Sequence, residues 1–143
     1  PMYVEMSFWQ KNGNEYGTVS KRPRRCGWLD VPMLRYAVRL NGCAGLVITK
    51  LDVLSKIPLL KICIGYTRKG KIVKEFPDQI SDLPDCKPVY QSFEGWCEDI
   101  SGIKKRIQLP LQCRNYLSYI EKDLGVPITY ISVGAERKAF IKI

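Results

Sequence analysis

Residues 30–49 are predicted to form a helix followed at once by a buried strand, and this pair constrains the fold more than any other segment. Asp30 can cap the amino terminus of a helix, Pro32 suits its first turn, and Gly42 is typical of its end. The apolar, branched run that follows predicts a strand near residues 44–49. A helix so close to a buried strand indicates an α/β protein.

The rest of the chain alternates in the same way. Residues 1–27 are predicted to be rich in turns, residues 67–70 to form the turn of a β-hairpin, and residues 77–86 to form a loop. The remaining elements are a helix over about 110–124, ended by Gly125, and strands near 59–66, 71–76, 87–93, 127–133 and 138–143. We expect these elements to be part of a larger, mainly parallel sheet with flanking helices and a β-hairpin.

The most distinctive polar segment is residues 17–30, where four cations fall within five positions beside two hydroxyls. These side chains are Lys21, Arg22, Arg24, Arg25, Thr18 and Ser20. Arginine presents a planar set of donors that matches carboxylate and phosphate, so this loop can hold several anionic oxygens at once. A solvated basic turn is the alternative interpretation.

A second polar motif, Thr49-Lys50-Leu51-Asp52, follows the strand predicted near 44–49. Ligands of α/β sheets commonly bind at the carboxyl ends of such strands. The stem of Lys50 can lie along a purine while the carboxylate of Asp52 accepts from two adjacent N–H groups, which guanine has and adenine lacks. Such a charge-assisted pair contributes about 1.5–3 kcal/mol. The alternative is a strand end with solvated charges, because so short a motif carries little weight alone.

Several segments occur in a family-specific order. Residues 22–30 read Arg-Pro-Arg-Arg-Cys-Gly-Trp-Leu-Asp, a highly specific stretch, and the Lys50 motif follows at 49–54. The later segments are Pro88-Val89-Tyr90 with Gly95-Trp96, and Ile131-Ser132-Val133-Gly134 with Arg137. Residues 1–6 loosely match a family segment reading Pro-Phe-Pro-Thr-Glu-Leu. Together they resemble the carboxyl-terminal part of adenylosuccinate synthetase. The resemblance implies that residues 1–143 are the carboxyl-terminal portion of a single domain with a P-loop-NTPase-like sheet.

The resemblance implies an enzyme, a GTP-dependent ligase of purine nucleotide (AMP) biosynthesis. The family joins IMP and L-aspartate into adenylosuccinate and releases GDP and phosphate, with Mg²⁺. GTP phosphorylates the 6-oxygen of IMP, and the aspartate amine then displaces that phosphate. Cations and backbone donors suit this chemistry, because phosphoryl transfer depends on positioning and charge neutralisation. A cytoplasmic homodimer without a membrane partner is also implied.

The resemblance further implies roles for individual residues. The aspartate-recognition loop is matched by Thr18, Val19, Ser20, Lys21, Arg22, Pro23 and Arg24. Arg22 also matches an arginine that contacts the aspartate carboxylate and the IMP ribose. The expected GTP-binding residues are Arg24, Lys50, Leu51, Asp52, Ser132, Val133 and Gly134. No catalytic residue and no metal ligand is expected here. Two structural alternatives stay open, since Ser132 could end a strand and Arg24 could pair with Asp30.

The sequence departs from the family's pattern in ways that bear on function. Val19-Ser20-Lys21 stands where the family has Thr-Thr-Gly, so a hydroxyl is lost, and Lys21 is strained if its position needs a positive φ. Ala135 replaces a proline. The family's phosphate loop, catalytic aspartate, histidine and most Mg²⁺ contacts lie upstream of the matched part, and this sequence has no histidine. With Pro1 at the start, we expect a piece of a longer polypeptide that is inactive alone.

Composition is consistent with this interpretation. A chain of 143 residues that is 45% hydrophobic can form one core, and 23 Lys plus Arg against 14 Asp plus Glu favour anionic partners. Six cysteines without C-x-x-C spacing predict reduced, mostly buried thiols of a cytosolic protein. The sequence has no apolar stretch of about 18 residues, so no membrane span is predicted.

Two other functions stay open. The net charge of +9 and eight tyrosines suit a nucleic-acid-binding module, although cations outside residues 21–25 are dispersed. A non-catalytic GTP-binding relic would keep the fold and tolerate Lys21. Trp28 and Trp96 are interpreted as core residues rather than nucleobase platforms, and Glu98 and Asp99 as a solvated loop rather than a metal or acid–base site.

Overall fold

The computed structural model describes residues 2–77 and 79–143 as a mixed α/β fold. Its helices are α1 (Met2–Asn12), α2 (Val31–Asn41) and α3 (Leu111–Leu124). Its strands are β1 (Leu29–Asp30), β2 (Leu46–Ile48), β3 (Leu59–Arg68), β4 (Lys71–Val73), β5 (Lys87–Glu94), β6 (Ile128–Ser132) and β7 (Phe140–Lys142). The first residue of the 1–6 segment and position 78 of the loop predicted at 77–86 lie outside the described residues.

The strands form two sheets of mixed direction. In one, β3 pairs in parallel with β1 and antiparallel with β4 and β5. In the other, β6 pairs in parallel with β2 and antiparallel with β7. The α/β class and the hairpin turn at residues 67–70 are confirmed, because β3 and β4 pair across that turn. The larger, mainly parallel sheet stays a prediction.

Asp30 positions α2, as its sequence pattern predicts. Its carboxylate accepts from the Met33 backbone N–H at 2.9 Å, and Gly42 ends the helix in the left-handed region at φ +57°. The Tyr66 hydroxyl also donates to this carboxylate at 2.7 Å. Burial, together with this hydrogen bond, raises the pKa of Tyr66. One aspartate therefore caps α2 and ties it to β3.

The expectation that residues 1–27 are rich in turns is wrong for Met2–Asn12, which form α1. Its sequence shows little of the apolar periodicity by which a surface helix is identified. Its packing comes from elsewhere in the chain, since Trp9 is buried and its ring meets that of Trp28 edge-on at 4.6 Å between centroids. The predicted loop at 77–86 also contains a 3₁₀ turn, Ile80–Asp85.

The core lies where α3 packs among the strands of both sheets. The helix buries the predicted apolar face of Tyr116, Leu117, Ile120 and Leu124, together with Cys113, and Gly125 ends it. Other members of the same buried cluster are Leu60, Ile62, Trp96, Ile128, Ile131 and Ile141. The core role predicted for Trp96 is confirmed, and its indole N–H donates to the Ser55 hydroxyl at 3.1 Å.

All six cysteines are free thiols, as predicted. The expectation that most are buried is wrong, because only Cys63 and Cys113 are fully buried and Cys97 is exposed. Burial raises the pKa of Cys113 to about 12, so this thiol is inert at neutral pH.

Candidate functional site

The basic loop is closed by its own backbone. The Gly17 N–H donates to the Arg22 carbonyl and the Lys21 N–H to the Gly17 carbonyl, both at 2.9 Å, and Tyr16 bridges to Pro23. The predicted aspartate-loop residues, from Thr18 to Arg24, are all exposed on this turn. Val19 lies at its tip with 95% of its surface exposed. The loop therefore presents its polar groups outward.

Lys21 adopts a positive φ, the backbone conformation in which a lysine is strained. Its φ is +54°, in the left-handed region where glycine is unstrained and a residue with a Cβ is not. The Ser20 hydroxyl accepts from the Arg22 N–H at 3.4 Å. The loop thus closes despite a local strain of its own.

The Thr49-Lys50-Leu51-Asp52 motif turns sharply at the end of β2. Lys50 has a φ of +59°, and Leu51–Leu54 form a 3₁₀ turn. Leu51 is 1% exposed in the core, so it can meet a ligand only through its backbone. The buried Oδ1 atom of Asp52 has no hydrogen-bond partner among the described residues. An unpaired buried carboxylate oxygen is costly, so this atom would be stabilised by a donor from a water molecule or a ligand.

Residues 132–134 leave the second sheet beside this motif. Ile48 of β2 pairs with Ile131 of β6 in parallel, so both strands end at the same edge. Val133 is fully buried, and its N–H donates to the Ala139 carbonyl at 2.9 Å. The Ser132 hydroxyl donates to the Gly134 carbonyl at 2.9 Å. Ser132 therefore does end a strand, and any ligand contact by Val133 is through its carbonyl oxygen.

Glu15, which sequence analysis did not single out, joins the two polar motifs. Its Oε1 accepts from Lys50 Nζ, and its Oε2 accepts from Arg24 Nη1 at 3.2 Å. Lys50 Nζ also donates to the Gly13 carbonyl at 2.7 Å. The pKa of the Glu15 carboxyl is lowered, first by the hydrogen bond from Lys50. Arg24 pairs with Glu15 rather than with Asp30, so that alternative is wrong. No local pattern in the sequence marks Glu15, which lies nine residues before Arg24.

Three adjoining cavities run from the basic loop to Asp52. The loop cavity, of about 450 Å³, is lined by Lys21 and Arg24 among others. The central cleft, of about 510 Å³, is lined by Arg24, Lys50 and Val53. The Asp52 cavity, of about 530 Å³, is lined by Val53 and Asp52. Arg24 lines both the loop cavity and the central cleft, Val53 lines both the central cleft and the Asp52 cavity, and each cavity has a volume in the range of small-molecule sites.

Trp28 and Asp99 are two other residues for which the sequence analysis weighed a functional role. Trp28 is half-buried and packs on the core while lining the central cleft. The Asp99 carboxylate lines the Asp52 cavity and accepts from the Ser101 N–H at 2.9 Å, which lowers the pKa of Asp99. The described residues contain no group of three His, Cys, Asp or Glu side chains placed to hold a metal ion. Among them, no helix has both the length and the apolar character to cross a membrane.

The chain is similar to known proteins over nearly all its length. The sequence profile of the adenylosuccinate synthetase family matches residues 4–141. Adenylosuccinate synthetases of Carboxydothermus hydrogenoformans and Desulforamulus reducens are 51% and 50% identical over 91% and 92% of this chain, which spans 30% and 31% of their length. The structure of fully ligated adenylosuccinate synthetase from Plasmodium falciparum superposes with a TM-score of 0.93 at 38% identity, over 98% of this chain and 34% of that one. The chain belongs to the adenylosuccinate synthetase family.

Proposed function

We propose that the full-length protein joins IMP and L-aspartate into adenylosuccinate, with GTP converted to GDP and phosphate. Within it, this chain supplies the guanine-binding residues and the loop that meets aspartate and IMP. Membership of the family supports the reaction. The observation that carries the assignment of residues is the convergence of Arg24 and Lys50 on Glu15, together with the buried, unpaired Oδ1 atom of Asp52 two positions after Lys50.

The guanine end of the nucleotide is assigned to Lys50 and Asp52. The ring N–H and exocyclic amine of guanine are two adjacent donors, and they would satisfy the buried Asp52 oxygen. Adenine would leave it unpaired, at a cost of about 1–3 kcal/mol. The Lys50 ammonium is occupied by Glu15 and the Gly13 carbonyl, which leaves its aliphatic stem to lie along the purine. Leu51, Ser132, Val133 and Gly134 complete this end through backbone groups.

The anionic end is assigned to the arginines. Arg24 lines both the loop cavity and the central cleft, so its guanidinium can meet phosphate oxygens between them. Arg22 and the exposed loop residues Thr18, Val19, Ser20, Lys21 and Pro23 are proposed to meet the aspartate carboxylate, and Arg22 also the IMP ribose. These cations neutralise charge that develops during phosphoryl transfer and hold the reactants in place.

Other features are proposed for the full-length protein. The two sheets would be parts of a larger, mainly parallel, P-loop-NTPase-like sheet within one domain, in a cytoplasmic homodimer. The Mg²⁺ ligands are proposed to lie in the part of the full-length protein that precedes this chain. We expect this chain alone to yield no adenylosuccinate when it is mixed with GTP, IMP, aspartate and Mg²⁺.

The assignment is tested by replacing Asp52 with Asn in the full-length protein. An amide cannot accept from both guanine donors without opposing one of them, so we expect the KM for GTP to rise about tenfold. The preference for GTP over ITP, which lacks the exocyclic amine, should shrink as well. The matched control is Asp85→Asn, at an exposed acid that lines none of the three cavities. Unchanged GTP kinetics in Asp52→Asn would refute the guanine assignment.

A non-catalytic GTP-binding relic is the second candidate, and the strained Lys21 favours it. The family has glycine at this position, and here a lysine holds a φ of +54°. Measuring adenylosuccinate formation by the GTP-binding protein distinguishes the two functions, because a relic would bind GTP without forming adenylosuccinate. A nucleic-acid-binding module would instead bind mixed-sequence RNA more tightly than GTP, with steep loss of affinity in salt.

A further inference from the structure

We infer that Glu15 is a positioning residue that holds the guanine-contacting lysine and the phosphate-contacting arginine in their binding geometry before GTP arrives. This inference rests on the proposed function, which it deepens by adding a residue that makes no contact with the substrate. It is carried by hydrogen bonds, burial and cavity geometry at the junction between α1, the basic loop and the end of β2.

The Glu15 backbone is held on both sides. Its N–H donates to the Gln10 carbonyl at 2.9 Å, which ties it to α1. Its carbonyl accepts from the Arg24 N–H at 2.8 Å, which ties it to the basic loop. The Gln10 side chain adds a third link, donating from Nε2 to the Arg24 carbonyl at 2.8 Å. The carboxylate therefore projects from a fixed point.

The two cations would not stay together without an anion between them. Lys50 and Arg24 are both about half exposed, with 49% and 56% of their side-chain surface accessible, and both carry several rotatable bonds. Ordering such a side chain costs up to about 2 kcal/mol of rotamer entropy, and like charges repel as they approach. Glu15, only 23% exposed, provides a shared partner for both. The ordering cost is thus met in the free protein rather than on binding.

The hydrogen bonds of Glu15 leave other N–H donors of Lys50 and Arg24 available to a ligand. A lysine ammonium has three N–H donors, and here two of them meet Glu15 and the Gly13 carbonyl. A guanidinium has five, and one N–H of Arg24 is shared with Glu15. Glu15 therefore orients the lysine stem and the arginine plane without covering them. This distinguishes a positioning role from that of a carboxylate that competes with the phosphates of GTP.

The test compares Glu15→Gln with the wild-type full-length protein. We expect the KM for GTP and its equilibrium Kd to rise about fivefold, which is the loss expected for two half-exposed ion pairs. The preference for GTP over ITP should fall, because the Lys50 stem is no longer held. The kcat at saturating GTP and the KM for IMP should stay within about twofold. Glu15→Asp, which keeps the charge on a shorter side chain, should recover part of the loss.

The matched control is Glu94→Gln, at an exposed acid on β5 that contacts Gln112 and lines none of the three cavities. Wild-type GTP binding in Glu15→Gln would overturn the inference, and so would tighter binding, which would mark Glu15 as a competitor of the ligand. A uniform loss of kcat and of affinity for every substrate would show a merely structural role. Failure of the proposed function looks different: wild-type protein would form no adenylosuccinate, and absence of GTP binding in direct titration would end both proposals.

Discussion

Two glutamates, Glu15 and Glu121, do similar chemistry in two regions of the molecule. Each carboxylate accepts hydrogen bonds from two other segments of the fold. Glu121 on α3 accepts from both Nη atoms of Arg106, at 2.6 and 3.0 Å, and from the Ile128 N–H of β6 at 2.8 Å. Glu15 accepts from Lys50 and Arg24. In both cases the carboxyl pKa is lowered, chiefly by the hydrogen bond from a cation.

The difference lies in the exposure of the cations that donate to each glutamate. At Glu121 the donors are a bidentate guanidinium and a backbone amide of the fold, and both Arg106 and Glu121 are about three-quarters buried. At Glu15 the donors are two half-exposed cations that line the central cleft and keep unused N–H groups. The comparison teaches that one kind of ion pair stabilises a fold when its cation is largely buried and prepares a site when its cations stay half-exposed at a cleft.

The largest expected effect is that of Glu121→Gln on stability. An amide cannot match the bidentate guanidinium, so the contact between α3 and β6 should lose about 2 kcal/mol. Amide hydrogen exchange measures this directly, and protection of the Ile128 N–H should fall about 30-fold. Glu94→Gln provides the matched control. Unchanged protection of the Ile128 N–H in Glu121→Gln would show that the Glu121 ion pair does not stabilise the fold, and the comparison would fail.

The pH dependence of the same amide should follow the sign of the Glu121 pKa shift. Because the folded pKa is lowered from an ordinary value of 4.5, the stabilisation is fully present above about pH 4.5 and is lost as the pH falls through the folded pKa. Protection of the Ile128 N–H, corrected for intrinsic exchange, should therefore be flat near neutrality and decline in acid. In Glu121→Gln this decline should be absent. A decline of the same size in both proteins would assign it to other groups.

A smaller effect is expected for Lys21→Gly in the basic loop. Glycine relieves the left-handed strain, and part of that gain is offset by greater freedom of the unfolded loop, so the net stabilisation should be about 0.5 kcal/mol. Protection of the Lys21 N–H, which donates to the Gly17 carbonyl, should rise about twofold. Lys69→Gly, at φ +49° in the hairpin turn, is the control for a similar relief away from the site. A loss of protection would show that Lys21 is not strained.

The smallest effect is the coupling between the two glutamates. Among the described residues they share no hydrogen-bond partner, so the losses of Ile128 protection in Glu15→Gln and Glu121→Gln should add in the double variant within about 0.5 kcal/mol. The coupling energy follows from protection of the Ile128 N–H measured in the wild type, the two single variants and the double variant. A larger coupling would mean that the cleft and the α3–β6 contact form one unit, and the contrast between them would disappear.

Much of the fold could be predicted from sequence, because its signals are local. Asp30 and Gly42 delimit α2 through backbone hydrogen bonds and φ values that depend on neighbours in the chain. The apolar face of α3 follows from helical spacing alone. Helix α1 could not be predicted in this way, because Trp9 packs against Trp28, a residue outside the helix and far along the chain.

The site divides along the same line. Lys50, Asp52 and the arginines were predicted to bind ligand from their residue types and their order, which the sequence alone provides. The contacts of Glu15 bring only Lys50 and Arg24 of this set together, and Glu15 itself had no distinguishing pattern. The confinement of Leu51 and Val133 to backbone roles also required knowing their burial.

By itself, the sequence determined the class of fold, most of the helices and strands, and a set of side chains suited to a guanine nucleotide, since propensity, capping and donor chemistry belong to short stretches of chain. Tertiary structure alone decided which of these side chains meet. Glu15 and Lys50 lie 35 positions apart, and whether a carboxylate holds a cation or an oxygen is left without a donor depends on the packing of α1, β2 and the basic loop.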